Sequence, residues 1–167
     1  MSIWPPQWYR LKELEAAGEL VALPLRITGD PAHRALFLTP ELCNSLLTKH
    51  AEDAVTRRYV ALRARLETFV TSEVLTNSFL KPLKPYRNRV WEIVDRPPRP
   101  SLRVFGLFVS RDVFLATNHQ RRSVLGEFAS PEWKLAMRTA RYEWRRRFIE
   151  EPMPGTIDQV ISGAAHV

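Results

Sequence analysis

Between Lys81 and Arg122 the chain reads KPLKPYRNRVWEIVDRPPRPSLRVFGLFVSRDVFLATNHQRR, and cations bracket each of three apolar runs. Lys81, Lys84, Arg87 and Arg89 precede Val90 to Val94. Arg99 and Arg103 surround the start of Leu102 to Val109, and Arg121 and Arg122 follow Val113 to Thr117. Cations at this density suit a polyanion, and the planar fork of arginine matches two phosphate oxygens at once. His119 is the one histidine near these strand ends. An unperturbed imidazole titrates near neutrality, and neighbouring arginines would hold it neutral, the form a base needs. A solvated histidine is the competing reading of the same residue.

The charge is uneven along the chain. The 167 residues carry 25 Lys and Arg against 18 Asp and Glu, a net of +7 with a pI near 10.1. From Arg99 to Arg147 there are eleven basic and four acidic residues, so that segment holds the whole excess. A basic half favours nucleic acid, an acidic protein or an anionic membrane surface, with a solvated cationic face as the alternative. Cys43 is the sole cysteine, which excludes an intramolecular disulfide and a cysteine-rich zinc site. It stands among leucines, as a buried apolar thiol does. No apolar run reaches the length of a membrane span and no signal-peptide pattern opens the sequence, so the expectation is a cytoplasmic protein without a membrane partner.

These cations need elements to hold them. The three apolar runs are β-branched and aromatic and are separated by charged or turn residues, the pattern of sequential antiparallel strands. The prolines of DRPPRPS interrupt the sheet between the first two, and Ser110, Arg111 and Asp112 form a tight turn between the second and third. Upstream, Arg34 to Leu38 reads as a short strand. Thr39 reads as an N-cap with Pro40 at the first helical position, for a helix to about His50. A second helix covers Glu52 to Val70 through Val55, Tyr59, Leu62, Leu66 and Phe69. The last helix is capped by Ser130 and carries the stripe Trp133, Ala136, Met137, Ala140, Trp144 and Phe148, with Arg138, Arg141, Arg145 and Arg146 largely on other faces. Before all of these lie an aromatic and proline cluster (Trp4, Pro5, Pro6, Trp8, Tyr9), a short helix from Leu11 to Ala17, and a strand from Leu20 to Ile27 that Pro24 weakens.

The resulting organisation is an N-terminal extension (1–31), a domain (32–150) and a tail (151–167). Its fold class is α+β: a small antiparallel sheet in the order β-α-α-β-β-β-α, the first strand at an edge and the helices on one face.

Several strings in this order resemble the RelE/HigB superfamily of bacterial toxins, including its phage-derived branch. They are LKPLKPYRNRVWEI from Leu80 to Ile93, LRVF from Leu102 to Phe105, FLATNHQRR from Phe114 to Arg122, and EWKLAMRTARYEWRRRF from Glu132 to Phe148. The resemblance spans residues 32–149. The chain departs from the pattern in the proline-rich RPPRPS, in Gly106 where an aromatic is usual, in His119 where an apolar residue is usual, and in its length.

What the resemblance implies is the toxin of a toxin–antitoxin module, an endoribonuclease that cleaves translated, ribosome-bound mRNA and is covered by a cognate antitoxin protein. Such cleavage requires no metal or other cofactor. A ribose 2′-OH attacks the adjacent phosphate, a base accepts its proton, and cations stabilise the phosphorane. On this reading Arg103 stabilises the transition state, Arg121 and Arg122 bind phosphate, and His119 does acid or base work. Lys81, Lys84, Arg87, Arg89, Arg99 and Arg141 hold RNA backbone. Tyr86 and Tyr142 could stack on a base, with core packing the better expectation for Tyr142. The alternative is a non-catalytic RNA- or protein-binding module of phage origin on the same scaffold.

Overall fold

The structure is a computed structural model and describes residues 6–26, 29 and 31–167. Trp4, Pro5 and Ile27, named above, lie outside the described residues. The chain runs through α1 (Pro6–Ala16), β1 (Val21–Ala22), β2 (Ala35–Leu38), α2 (Pro40–Leu47), α3 (Asp53–Thr71), β3 (Leu75–Thr76) and β4 (Leu80–Pro82). It continues with β5 (Trp91–Asp95), β6 (Leu102–Ser110), β7 (Val113–Arg121), α4 (Arg122–Leu125), α5 (Pro131–Arg145), α6 (Ile157–Val160) and β8 (Ala164–Ala165).

The fold is α+β, and its main sheet is mostly antiparallel, in the order β1-β2-β7-β6-β5-β4. Strands β4 to β7 form an antiparallel meander whose central pairing is β6 with β7. The strand expected at an edge is instead interior. Its residues Ala35 to Leu38 pair in parallel with Val113 to Ala116, and β1 pairs antiparallel on its other side. The α2–α3 hairpin and the meander supply the long connection that a parallel pair requires. Strand β7 also runs four residues past Thr117, because a register shift near Gly106 lets Asn118 to Arg121 keep pairing with Phe105 to Leu102.

Helices cover both faces of the sheet, where one covered face was expected. Leu36, Leu38, Trp91, Ile93, Val104, Phe108, Phe114 and Ala116 face the core formed with α2 and α3. Phe37, Phe105, Leu107, Val109, Val113 and Leu115 face a second core formed with α1 and α5. The N-terminal helix belongs to that second core through Leu11 and Leu14, and Leu20 follows them into it. Strand side chains alternate between faces, so a sheet buried on both sides reads as the near-continuous apolar run seen from Leu102 to Val109. Gly106 falls where a Cβ would collide with the Leu115 carbonyl oxygen and the Phe114 ring, which accounts for the missing aromatic there.

The local signals resolve unevenly. Ser130 caps α5 and accepts a hydrogen bond from the Trp133 N–H at 3.3 Å. Thr39 precedes α2 as expected but makes no side-chain cap; its hydroxyl donates to the Thr117 carbonyl of β7 at 2.8 Å. Helix α2 ends at Leu47, short of His50. Between α3 and β4 the sequence shows no clear period, yet Leu75–Thr76 form β3, which pairs in parallel with β8 of the C-terminal tail. Ile157, Val160 and Ile161 of that tail are buried in the core with α3. Cys43 is buried there too, and burial pushes its thiol pKa up against the weaker opposing influence of Arg63.

Arg34 ties these parts together. Its side chain is fully buried; Nη1 donates to the carbonyls of Phe69 (3.1 Å) and Ser72 (2.6 Å), and Nη2 to those of Glu73 (3.2 Å) and Ser162 (2.5 Å). Nε lies 3.5 Å from Asp112, whose carboxylate accepts from the Ser162 N–H and hydroxyl, each at 2.8 Å. One guanidinium thus joins the end of α3, the β6–β7 turn and the tail. Arg34→Ala would strand the carbonyls and the acid, and is expected to cost about 3–5 kcal/mol, read from the urea midpoint at constant m-value. A cost below about 1 kcal/mol, that of a surface ion pair, would refute this role.

Candidate nucleic-acid interface

The two covered faces divide the basic residues. Along α5, Lys134, Arg138, Arg141 and Arg145 follow a 4, 3, 4 spacing and form a cationic stripe on one side of the helix. With Lys84 from the loop after β4 they line a groove of about 770 Å³ floored by Phe128, Trp133, Met137 and Tyr142. Tyr142 is 60% exposed, so it is a groove residue, not the core residue the helix stripe suggested. Arg141 pairs with Glu151 through Nη2 at 2.9 Å, while its buried Nη1 lacks a hydrogen-bond acceptor. Among the described residues no ion pair holds Lys84, Lys134, Arg138 or Arg145.

On this same face, at the end of the sheet, Arg103 is buried against Glu92, Nε to Oε2 at 3.5 Å, and its Nη1 donates to the Leu102 carbonyl at 3.0 Å. Burial raises the Glu92 carboxyl pKa above its ordinary range, opposed by Arg103, Lys81, Arg122 and Arg96 in that order. Burial likewise lowers the Arg103 pKa, opposed first by Glu92. Glu92 Oε2 has no hydrogen-bond donor. Lys81 stands opposite Glu92 in the β4–β5 register. Arg122 donates to the Gly126 carbonyl at 2.5 Å and its guanidinium lies 5.8 Å from the Trp133 ring centroid.

His119 and Arg121 lie on the opposite, α3-covered face. With Arg99, Arg58 and Tyr59 they line a cleft of about 430 Å³. The Tyr59 hydroxyl is 2.8 Å from His119 Nε2, and the Tyr59 ring stacks on His50 with centroids 4.6 Å apart. Burial lowers the His119 pKa. The adjacent Arg121 and Arg122 part company because Arg121 ends a strand and Arg122 begins a helix.

The ten residues singled out in the sequence therefore fall in four places. Lys84 and Arg141 meet in the α5 groove. Lys81, Arg103 and Arg122 cluster at the sheet end on that face. His119, Arg121 and Arg99 share the cleft behind. Arg87 and Arg89 line a separate groove against the tail with Tyr86, where Arg89 donates to the Pro152 carbonyl at 2.5 Å. No single site unites Arg103 with His119. Sequence reasoning missed Glu92, although it is the acid of the WEI string, and of the α5 stripe it assigned only Arg141 to RNA, although the spacing that adds Lys134, Arg138 and Arg145 was visible.

Comparison with protein-family models, with curated proteins and with solved structures finds no match. Among the described residues no helix is long and apolar enough to cross a membrane, and no group of three or more His, Cys, Asp or Glu is placed to hold a metal ion.

The lowered His119 pKa carries a pH signature. Between that lowered value and the ordinary one near 6.5, the unfolded chain binds more protons than the folded one, so stability rises with pH through that window and falls on acidification. Urea titrations at about pH 7.5 and about pH 5 are expected to show a smaller acid loss for His119→Gln than for the wild type. Equal losses would mean that His119 is solvated.

Proposed function

We propose that this chain is an RNA-binding protein of the RelE/HigB type, a toxin that cleaves mRNA and is held in check by an antitoxin. The observation that carries the RNA part is the α5 groove: a row of cations, four of them (Lys84, Lys134, Arg138 and Arg145) without carboxylate partners among the described residues, over an aromatic floor. Single-stranded nucleic acid is bound by this combination, the cations tracking the phosphates and the rings stacking on bases. Lys84, Lys134, Arg138 and Arg145 would hold the backbone, and Tyr142 and Phe128 would meet bases.

Cleavage is what the strand motifs imply, and the sheet end beside the groove holds residues suited to it. Glu92 has a carboxylate oxygen with no donor and a raised pKa, so it can take the 2′-OH proton; Arg103, Lys81 and Arg122 supply positive charge for the phosphorane. Glu92 and Arg103 are both buried, so RNA reaches them only if their surroundings rearrange. That burial favours the second reading, a non-catalytic RNA-binding module on this scaffold.

Two measurements separate the readings. In salt titrations with a fluorescent single-stranded RNA, Arg138→Ala/Arg145→Ala is expected to weaken binding and to make the log–log salt slope shallower by about 1.4, two phosphate contacts at about 0.7 each. An unchanged slope would remove the groove from RNA binding. Inducible expression of the wild type is expected to arrest growth and produce new mRNA 5′ ends, and Glu92→Gln and Arg103→Ala are expected to relieve both; a thermal melt separates this from unfolding, since Arg103→Ala leaves Glu92 buried without its partner. Normal growth and intact mRNA, with RNA binding retained, would leave the non-catalytic module.

A further inference from the structure

The cleft behind the sheet is built differently from the α5 groove. It opens at the N-terminus of α3, a helix of 19 residues, and Glu52, Ala54 and Val55 from that terminus line it. The first N–H groups of a helix have no intrahelical partner and carry partial positive charge. Glu52, at the N-cap, makes no side-chain cap; its carbonyl accepts the Val55 N–H at 3.1 Å, which leaves the N–H groups of Asp53 and Ala54 for a ligand.

A second observation points the same way. Arg58 also lines the cleft, and its side chain is only 6% exposed. Nε donates to the Pro100 carbonyl at 2.6 Å and Nη2 to Asp95 at 2.8 Å, but the buried Nη1 has no acceptor. A buried guanidinium N–H without an acceptor is costly unless something supplies one. The exposed Arg99 and Arg121 flank the opening, and neither has a carboxylate partner among the described residues. His119, held by the Tyr59 hydroxyl, supplies a polar wall. Glu52 is the one carboxylate among the lining residues.

We propose that this cleft binds a phosphate monoester, with the dianion between Arg99, Arg121 and the α3 N-terminus and within reach of the Arg58 guanidinium. Asp95 already balances the Arg58 charge, so two unpaired arginines and a helix dipole stand against the one lining acid, Glu52, and favour a dianion over a neutral ligand. A cleft of about 430 Å³ is of the size that holds a small molecule. The phosphate comes either from a free nucleotide or from the phosphorylated end of an RNA. The site lies on the opposite face from the α5 groove and stands whether or not that groove binds RNA.

The test is calorimetric titration of the full chain with adenosine 5′-monophosphate, adenosine, inorganic phosphate, and a short RNA with and without a terminal phosphate. The imidazole resonances of His119 are followed by NMR in parallel. The monophosphate is expected to bind at least about tenfold more tightly than adenosine, to move the His119 resonances, and to lose about tenfold or more in affinity in Arg99→Ala/Arg121→Ala. Both substituted residues are exposed, and a thermal melt of the variant confirms that the fold is kept. Glu52→Gln is expected to tighten binding. A terminally phosphorylated RNA binding better than the mononucleotide would identify an RNA end as the source; equal or weaker binding would identify the free nucleotide. Adenosine binding as well as its monophosphate, an unaltered affinity in the double variant, or silent His119 resonances would overturn the proposal.

Discussion

The central sheet is covered by helices on both faces, and this constraint governs where every strand side chain can go. Successive residues point to opposite sides, and both sides are interior over most of β6 and the first half of β7. Polar residues in these strands therefore sit at one end, or pair as they are buried. Arg103 meets Glu92 on the α5 face, and His119 meets Tyr59 on the α3 face, although both residues stand on adjacent strands near the same end of the sheet. The same rule sets Gly106, because the close approach of β7 leaves no room for a side chain there.

Much of the positive charge serves the fold. Arg34, Arg58, Arg89 and Arg147 each donate to backbone carbonyls distant in sequence, and Arg58 and Arg147 also pair with Asp95 and Glu143. A guanidinium suits this work because its five donors can satisfy several orphan carbonyls at a helix end or a tail crossing. Of the charge left over, two groups line clefts: Lys84, Lys134, Arg138 and Arg145 along the α5 groove, and Arg99 and Arg121 at the rim of the cleft behind. The net charge of the chain is thus a poor guide to the strength of its field, and the location of the unpaired cations is a better one.

The two places differ in kind. The α5 groove is elongated in its cations and aromatic in its floor, which fits a flexible polyanion with exposed bases. The rear cleft gathers donors around one helix terminus and a guanidinium with a donor to spare, which fits a compact anion. The sheet between them is shared, so a change at the β6–β7 end would be felt by both.

What the sequence determined by itself is what depends on local chemistry. Strands β5, β6 and β7 of the meander, the α2–α3 pair and the Ser130-capped α5 were legible, since periodicity, proline and capping act over a few residues; the short β4 was not. The cationic lead-in and strand-end arginines were visible as types. Only the tertiary structure decided that β2 lies inside the sheet, that the N-terminal helix and the tail complete its two cores, and that Arg103 and His119 face opposite ways. Those outcomes rest on long-range pairing and on a register shift at Gly106, where one extra residue in β7 re-sorts the side chains beyond it. Tyr142 shows the limit from the other side: its position beside an apolar stripe suggested burial, but whether a helix flank is covered depends on what packs against it, and here a groove is left open.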